Sequence, residues 1–166
     1  MRVNIRKLLK EIVIFAVLLF VVSSLLSYLR SPELQSSQLP QIEAKLIDGS
    51  TFRSREMEGK PLIVHFWATW CPTCKAEASN IEAVSEEYEV VSIAVNSGSD
   101  EVLKRYMREN GYHFRVLNDT RGKWAGIFHV EVFPTTFIFD SKGELQFTEV
   151  GYTTTLGLKG RMGIAE

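Results

Sequence analysis

The stretch from Leu62 to Lys75, LIVHFWATWCPTCK, constrains this chain more than any other. It begins with an apolar run, Leu62 to Trp67, whose length and β-branched and aromatic content predict a buried strand. It ends in Cys71-Pro72-Thr73-Cys74, two thiols three residues apart where a helix begins. That helix is predicted by Ala78, Ile81, Val84 and Tyr88, which recur at helical spacing among polar residues. Pro72 suits its first turn, where a missing N–H is not needed. The expected unit is a strand, a short turn, and a Cys-x-x-Cys at a helix N-terminus.

That placement has a chemical consequence. First-turn N–H groups lack intrahelical partners, and the helix dipole is positive at that end. A thiolate is favoured there, so Cys71 should ionise more readily than a free cysteine. Cys74 falls on the same side of the helix and should be more buried. The pair can close a disulfide within one turn, with Cys71 attacking and Cys74 resolving.

The chain has 166 residues, 45% of them hydrophobic and 23% charged, which supports one globular domain with ample core. Its net charge of −1 gives no reason to expect nucleic acid, whose binders concentrate basic residues on one face. The two cysteines are the only ones, so no structural disulfide is available. A structural zinc site is not expected, since there is no second cysteine pair and His65, His113 and His129 lack finger spacing. A soft-metal thiolate site, such as one for monovalent copper, remains the rival from another class. No paired carboxylates, Ser/His/Asp arrangement, P-loop or metalloprotease motif is present, and the late glycines Gly157, Gly160 and Gly163 follow no strand that would make them a cofactor loop.

At the N-terminus, Arg2, Arg6, Lys7 and Lys10 precede Ile12 to Leu29, an uncharged run of 18 residues. As a helix it would extend about 27 Å, enough to span a membrane. A secretory signal would have a shorter apolar core, and Ser23, Ser24 and Ser27 make a poor cleavage site. The expected organisation is a cytoplasmic N-terminus (1–11), a transmembrane anchor (12–29), a polar tether (30–40) and a domain from 41 to 166, with the basic residues keeping the N-terminus inside. The domain then faces the periplasm or outer surface, where disulfide chemistry proceeds.

Within the domain, Ile42–Leu46 and Ser50–Phe52 flank Asp48-Gly49, a hairpin signal. Glu89 to Val95 reads as a second buried strand, so a helical crossover joins two parallel strands. Asp100 is a candidate N-cap for a helix through Asn110, with Val102, Leu103, Tyr106 and Met107 on one face. His113 to Leu117 and Gly122 to Phe128 read as a short strand and a short helix, and Glu144 to Val150 closes a terminal hairpin with the apolar run ending at Asp140. The tail from Thr153 is expected to form at most a short, weak helix, because each of its glycines costs about 1 kcal/mol if helical.

The motif Trp67-Ala68-Thr69-Trp70-Cys71-Pro72-Thr73-Cys74-Lys75 resembles the active site of the thioredoxin superfamily. Extended to Glu77, it is similar to the membrane-anchored TlpA/ResA-like branch, and the anchor makes it resemble that branch's suppressor-of-copper-sensitivity D type of protein disulfide oxidoreductase. The likeness covers roughly Gln41 to Tyr152. It departs at His65, where thioredoxins proper carry a buried acid, and at Ser79, where TlpA-like proteins often have proline.

The resemblance implies an α/β thioredoxin-like fold: a central mixed sheet flanked by helices, with an N-terminal hairpin and an αβ insertion, preceded here by one transmembrane helix. It implies a cis Phe133–Pro134 bond facing the cysteines, with Phe133 offering its backbone to an extended substrate. Trp70, Pro72 and Thr73 join these as substrate contacts. His65 occupies the position of the acid that relays protons to the second cysteine, a task open to an imidazole titrating near neutral pH. Lys75 and Glu77 read as solvated charges on the first turns, with proton transfer as Glu77's alternative role. No organic cofactor is expected, because the electrons reside in a Cys71–Cys74 disulfide. Implied partners are client proteins bearing disulfides or thiols and a DsbD-like membrane electron donor. TlpA-like relatives are mostly reductants, and the Pro-Thr dipeptide lacks the histidine of DsbA-like oxidants, so a reductase is expected ahead of an oxidase or isomerase.

Overall fold

The computed structural model describes residues 36–166 and, before them, only Lys10, Glu11, Ile14, Phe15, Val17 and Leu18, which are helical. Apart from those six residues, the expected cytoplasmic N-terminus and anchor, and most of the tether, lie outside the described residues. Among the described residues no helix is long and apolar enough to cross a membrane.

Five strands form the central sheet. They are β3 (Leu62–Trp67), β4 (Glu89–Val95), β5 (Arg115–Asp119), β6 (Thr135–Phe139) and β7 (Leu145–Val150), in the order β5-β4-β3-β6-β7. The first three run parallel and β6 and β7 are antiparallel to their neighbours, so the sheet is mixed as expected. A separate antiparallel pair, β1 (Glu43–Lys45) and β2 (Thr51–Arg53), forms the N-terminal hairpin. Its turn is held by Asp48, whose Oδ1 accepts from the Ser50 N–H at 2.8 Å, and by Gly49 at φ +96°.

Four helices complete the domain: α1 (Pro72–Ser85), α2 (Asp100–Asn110), α3 (Lys123–Ile127) and α4 (Thr155–Ala165). Every residue of β3 is buried, which is why its sequence is continuously apolar instead of alternating. Strand alternation sends Ile63 and Trp67 to one face, where Cys74 and Ile81 of α1, Leu103 of α2 and Leu158 of α4 pack. Val64 and Phe66 go to the other face, against Phe52 of the hairpin and Trp124 of α3. Each fully buried aliphatic or aromatic side chain contributes roughly 1.5–3 kcal/mol, so both layers are anchored through this strand.

Several expectations need correction. The tether does not run to Pro40: Gln38 bridges Glu144, Leu39 N–H donates to the Gly143 carbonyl, and Leu145 N–H donates to the Ser37 carbonyl. Asp100 is the first residue of α2 and Ser99 is the N-cap. Val102 is 38% exposed, while Leu103 and Met107 carry the buried face of that helix. The tail does form the expected helix, but over 11 residues and packed into the core, so it is not the weak one expected. Thr154 caps it by accepting from the Gly157 N–H at 3.1 Å, and Leu158, Met162 and Ala165 are buried. Tertiary burial overrides the glycine penalty.

Candidate active site

Strand β3 ends at Trp67, and the next turn delivers Cys71 to the N-cap of α1 with Pro72 in the first helical turn. The turn is fixed from the β4–α2 loop. Ser97, buried, accepts the Thr69 N–H on Oγ at 3.0 Å and donates to the Val95 carbonyl at 3.0 Å. Trp70 donates Nε1–H to the Asn96 carbonyl at 3.1 Å, and Asn96 adopts a left-handed φ of +46° there.

The cysteines are free thiols. The Cys74 N–H, one of the unpaired donors of the first turn, points at Cys71 Sγ at 3.2 Å. Across the site, Cys71 Sγ lies 3.7 Å from the Phe133 carbonyl oxygen, and the Phe133–Pro134 peptide bond is cis. Trp70 meets Phe133 edge to face, with ring centroids 5.8 Å apart, and is 57% exposed. Cys71, Trp70, Phe133 and Pro134 are thus brought together, while Pro72 and Thr73 are exposed on the first turn. Cys74 is buried as expected. Its thiol is pushed up from the ordinary value by burial first, and then by its hydrogen bond with Cys71. Resolution by Cys74 therefore needs a base.

Glu77 is not a solvated charge; it is fully buried, which corrects the default reading of its position. Its Oε1 accepts the Thr153 N–H at 2.8 Å, and its Oε2 is buried without a partner. Burial raises its pKa to about 7, against the lowering effect of the Thr153 N–H and with a further raising effect from Glu149. Spacing carried the signal: Glu77 follows Cys74 by three residues and falls on the stripe of Cys74, Ala78 and Ile81. Lys75, by contrast, is exposed.

His65 is buried on the β3 face that α1 covers, with Nδ1 2.9 Å from the Oγ1 of Thr136, its register partner on β6. Burial lowers its pKa to about 3, so the imidazole is neutral and does not titrate near neutral pH. Thr136, Ser97, Asn96 and Thr153 carried no sequence signal, because each acts through one hydroxyl or backbone group placed by tertiary structure. Among the described residues no cluster of three or more His, Cys, Asp or Glu side chains is arranged to hold a metal.

The sheet order, the Cys-x-x-Cys at a helix N-terminus and the facing Phe133–Pro134 loop define a thioredoxin-like protein. The family model of the AhpC/TSA family matches residues 36–148, and the chain belongs to that family. It is 33% identical to a thioredoxin-like protein of Haemophilus influenzae over 165 residues, 98% of each chain. It is 31% identical to the thiol-disulfide oxidoreductase ResA of Oceanobacillus iheyensis over 74% of this chain and 66% of that one. The solved structure of the pneumococcal exposed lipoprotein thioredoxin Etrx1 of Streptococcus pneumoniae superposes with a TM-score of 0.68, at 25% identity, over 75% of this chain and 99% of that one. The protein is accordingly an enzyme, a thiol-disulfide oxidoreductase.

Proposed function

We propose that the chain is a membrane-tethered, extracytoplasmic oxidoreductase that reduces disulfides of client proteins. The observation that carries this reading is the position of Cys71 Sγ, which accepts the Cys74 N–H at 3.2 Å while lying 3.7 Å from the Phe133 carbonyl. A nucleophilic sulfur thus stands beside a backbone edge on which an extended client can align. The extracytoplasmic setting is supported by the basic N-terminus and the apolar run of residues 12–29, and by the exposed lipoprotein among its structural neighbours.

The Cys71 thiolate attacks one sulfur of a client disulfide, and the other client sulfur leaves as a thiolate that takes up a proton. The Cys74 thiol then gives its proton to the Glu77 carboxylate, and its sulfur attacks Cys71 Sγ. The mixed disulfide breaks, the second client thiolate departs and is protonated, and the Cys71–Cys74 disulfide remains. Two electrons have passed to the client. Glu77 suits the acceptor role because burial places its pKa at about 7. His65, held neutral and bonded to Thr136, takes no part in the proton transfer. No organic cofactor enters the cycle, and the disulfide is returned to the dithiol by a membrane donor of the DsbD-like kind.

The test uses the full chain in detergent with insulin as the disulfide substrate. Wild type should reduce insulin when supplied with a dithiol, Cys74→Ser should accumulate a mixed disulfide, and Cys71→Ser should form none. An adduct on the Cys71→Ser protein, or no reduction by wild type, would overturn this assignment.

A further inference from the structure

One residue of the β7–α4 connection is held from both sides by the active-site helix. The Thr153 N–H donates to Glu77 Oε1 at 2.8 Å, and the Thr153 carbonyl accepts from Asn80 Nδ2 at 2.9 Å. Glu77 and Asn80 stand three residues apart on α1, so they present adjacent turns of one face. Asn80 is itself fully engaged. Its Nδ2 also donates to the Tyr152 hydroxyl at 3.0 Å, and its Oδ1 accepts from the Thr155 hydroxyl at 3.0 Å. The Thr153 carbonyl can only accept, which settles which end of the amide faces it. Glu77 therefore keeps one N–H donor, while its second oxygen stays buried without a partner.

We propose that Asn80 is a positioning residue for the exchange reaction: by holding the Thr153 carbonyl it keeps the Thr153 N–H on Glu77 while Cys74 resolves the mixed disulfide. This inference rests on the assignment of Glu77 as acceptor of the Cys74 proton.

The sign of the effect follows from the charge on Glu77. A hydrogen bond to a carboxylate favours its ionised form, so loosening the Thr153 N–H leaves Glu77 protonated to higher pH. Other groups also act on Glu77. Glu149 on β7 opposes ionisation and is paired with Arg161 on α4 at 2.6 Å, Cys74 lies one turn back on α1, and His65 on β3 is neutral. None of these is hydrogen-bonded to Asn80, whose partners are Tyr152, Thr153 and Thr155. Substituting Asn80 thus alters the N–H on Glu77 and leaves the surrounding charges in place.

The experiment is single-turnover reaction of the reduced full-length protein in detergent with dithionitrobenzoate, followed across pH. The first thionitrobenzoate released reports attack by Cys71, and the second reports resolution by Cys74. In wild type the resolution rate should rise with pH through a midpoint near 7, and Glu77→Gln should abolish that midpoint. Asn80→Ala should move the midpoint up by about half a unit to one unit, as expected for weakening a hydrogen bond to a charged group. Its first phase should be unchanged. Thr155→Val, which frees the Asn80 carbonyl oxygen without touching α1, should move the midpoint the same way by less. A midpoint that survives in Glu77→Gln overturns the Glu77 assignment and this inference with it. A midpoint lost in Glu77→Gln but unmoved in both Asn80→Ala and Thr155→Val overturns the role of Asn80 alone. A drop in stability with no midpoint shift marks Asn80 as purely structural and has the same consequence.

Discussion

The N–H of Thr153 donates to the buried carboxylate of Glu77 at 2.8 Å, across 76 residues of sequence. This bond ties the entry to the C-terminal helix to the helix that carries both cysteines. It also supplies the one donor that favours ionisation of a carboxylate otherwise shielded from water. An acid in that setting ionises near neutrality and can take a proton from a neighbouring thiol.

Glu77 should make folding stability fall as pH rises. Its pKa is about 7 in the folded chain against an ordinary 4.5, so between those values the folded state holds a proton that the unfolded state has lost. Its contribution is fully present below about pH 4.5 and is lost as pH rises through about 7, a difference of about 3 kcal/mol. Glu77→Gln should remove that slope, so the variant gains on wild type between pH 4.5 and 8 in urea denaturation. A constant difference between the two proteins across this range would refute the raised pKa.

His65 should act in the opposite sense and at lower pH. Its pKa is lowered to about 3 from an ordinary 6.5, so the unfolded state binds the proton first as pH falls. Its contribution is present above about pH 6.5 and is lost as pH falls toward 3, amounting to several kcal/mol at full extent. His65→Gln, which cannot ionise and can still bond Thr136, should lose less stability than wild type between pH 6.5 and 4. Identical acid-unfolding curves would show that the imidazole is not held neutral.

The C-terminal helix should be a full part of the core. Leu158 has no exposed surface and packs in the layer that contains Cys74 and Ile81. Leu158→Ala should destabilise the protein by about 2–5 kcal/mol, as for other fully buried leucines. Thermal unfolding would measure it, and a loss below about 1 kcal/mol would mean that the helix is only loosely attached.

Much of the framework was legible because it depends on patterns that few structures can satisfy. Leu62–Trp67 and Glu89–Val95 are continuous apolar runs, and both are buried strands over those same residues. The cysteine pair marked the helix start because Pro72 and the stripe from Ala78 to Val84 agree with it. What was not legible depends on burial imposed from elsewhere in the chain. Glu77 read as a surface charge until the Thr153 segment covered it, although its spacing from Cys74 put it on the apolar stripe. The tail read as weak because three glycines outweighed Leu158 and Met162 in local propensity, whereas packing against α1 and β6 decides its structure. Val102 fits the apolar stripe almost as well as the adjacent Leu103 at the level of spacing, and only burial in the folded chain separates the two.

The measurement that bears most directly on the proposed reductase is the redox equilibrium of Cys71 and Cys74 in the full-length protein against a series of glutathione buffers. A reversible two-electron transition at or below about −200 mV is the predicted result, since a client disulfide can then be reduced by the dithiol. A transition near about −120 mV would identify an oxidant, and the absence of any reversible disulfide would contradict the exchange chemistry itself.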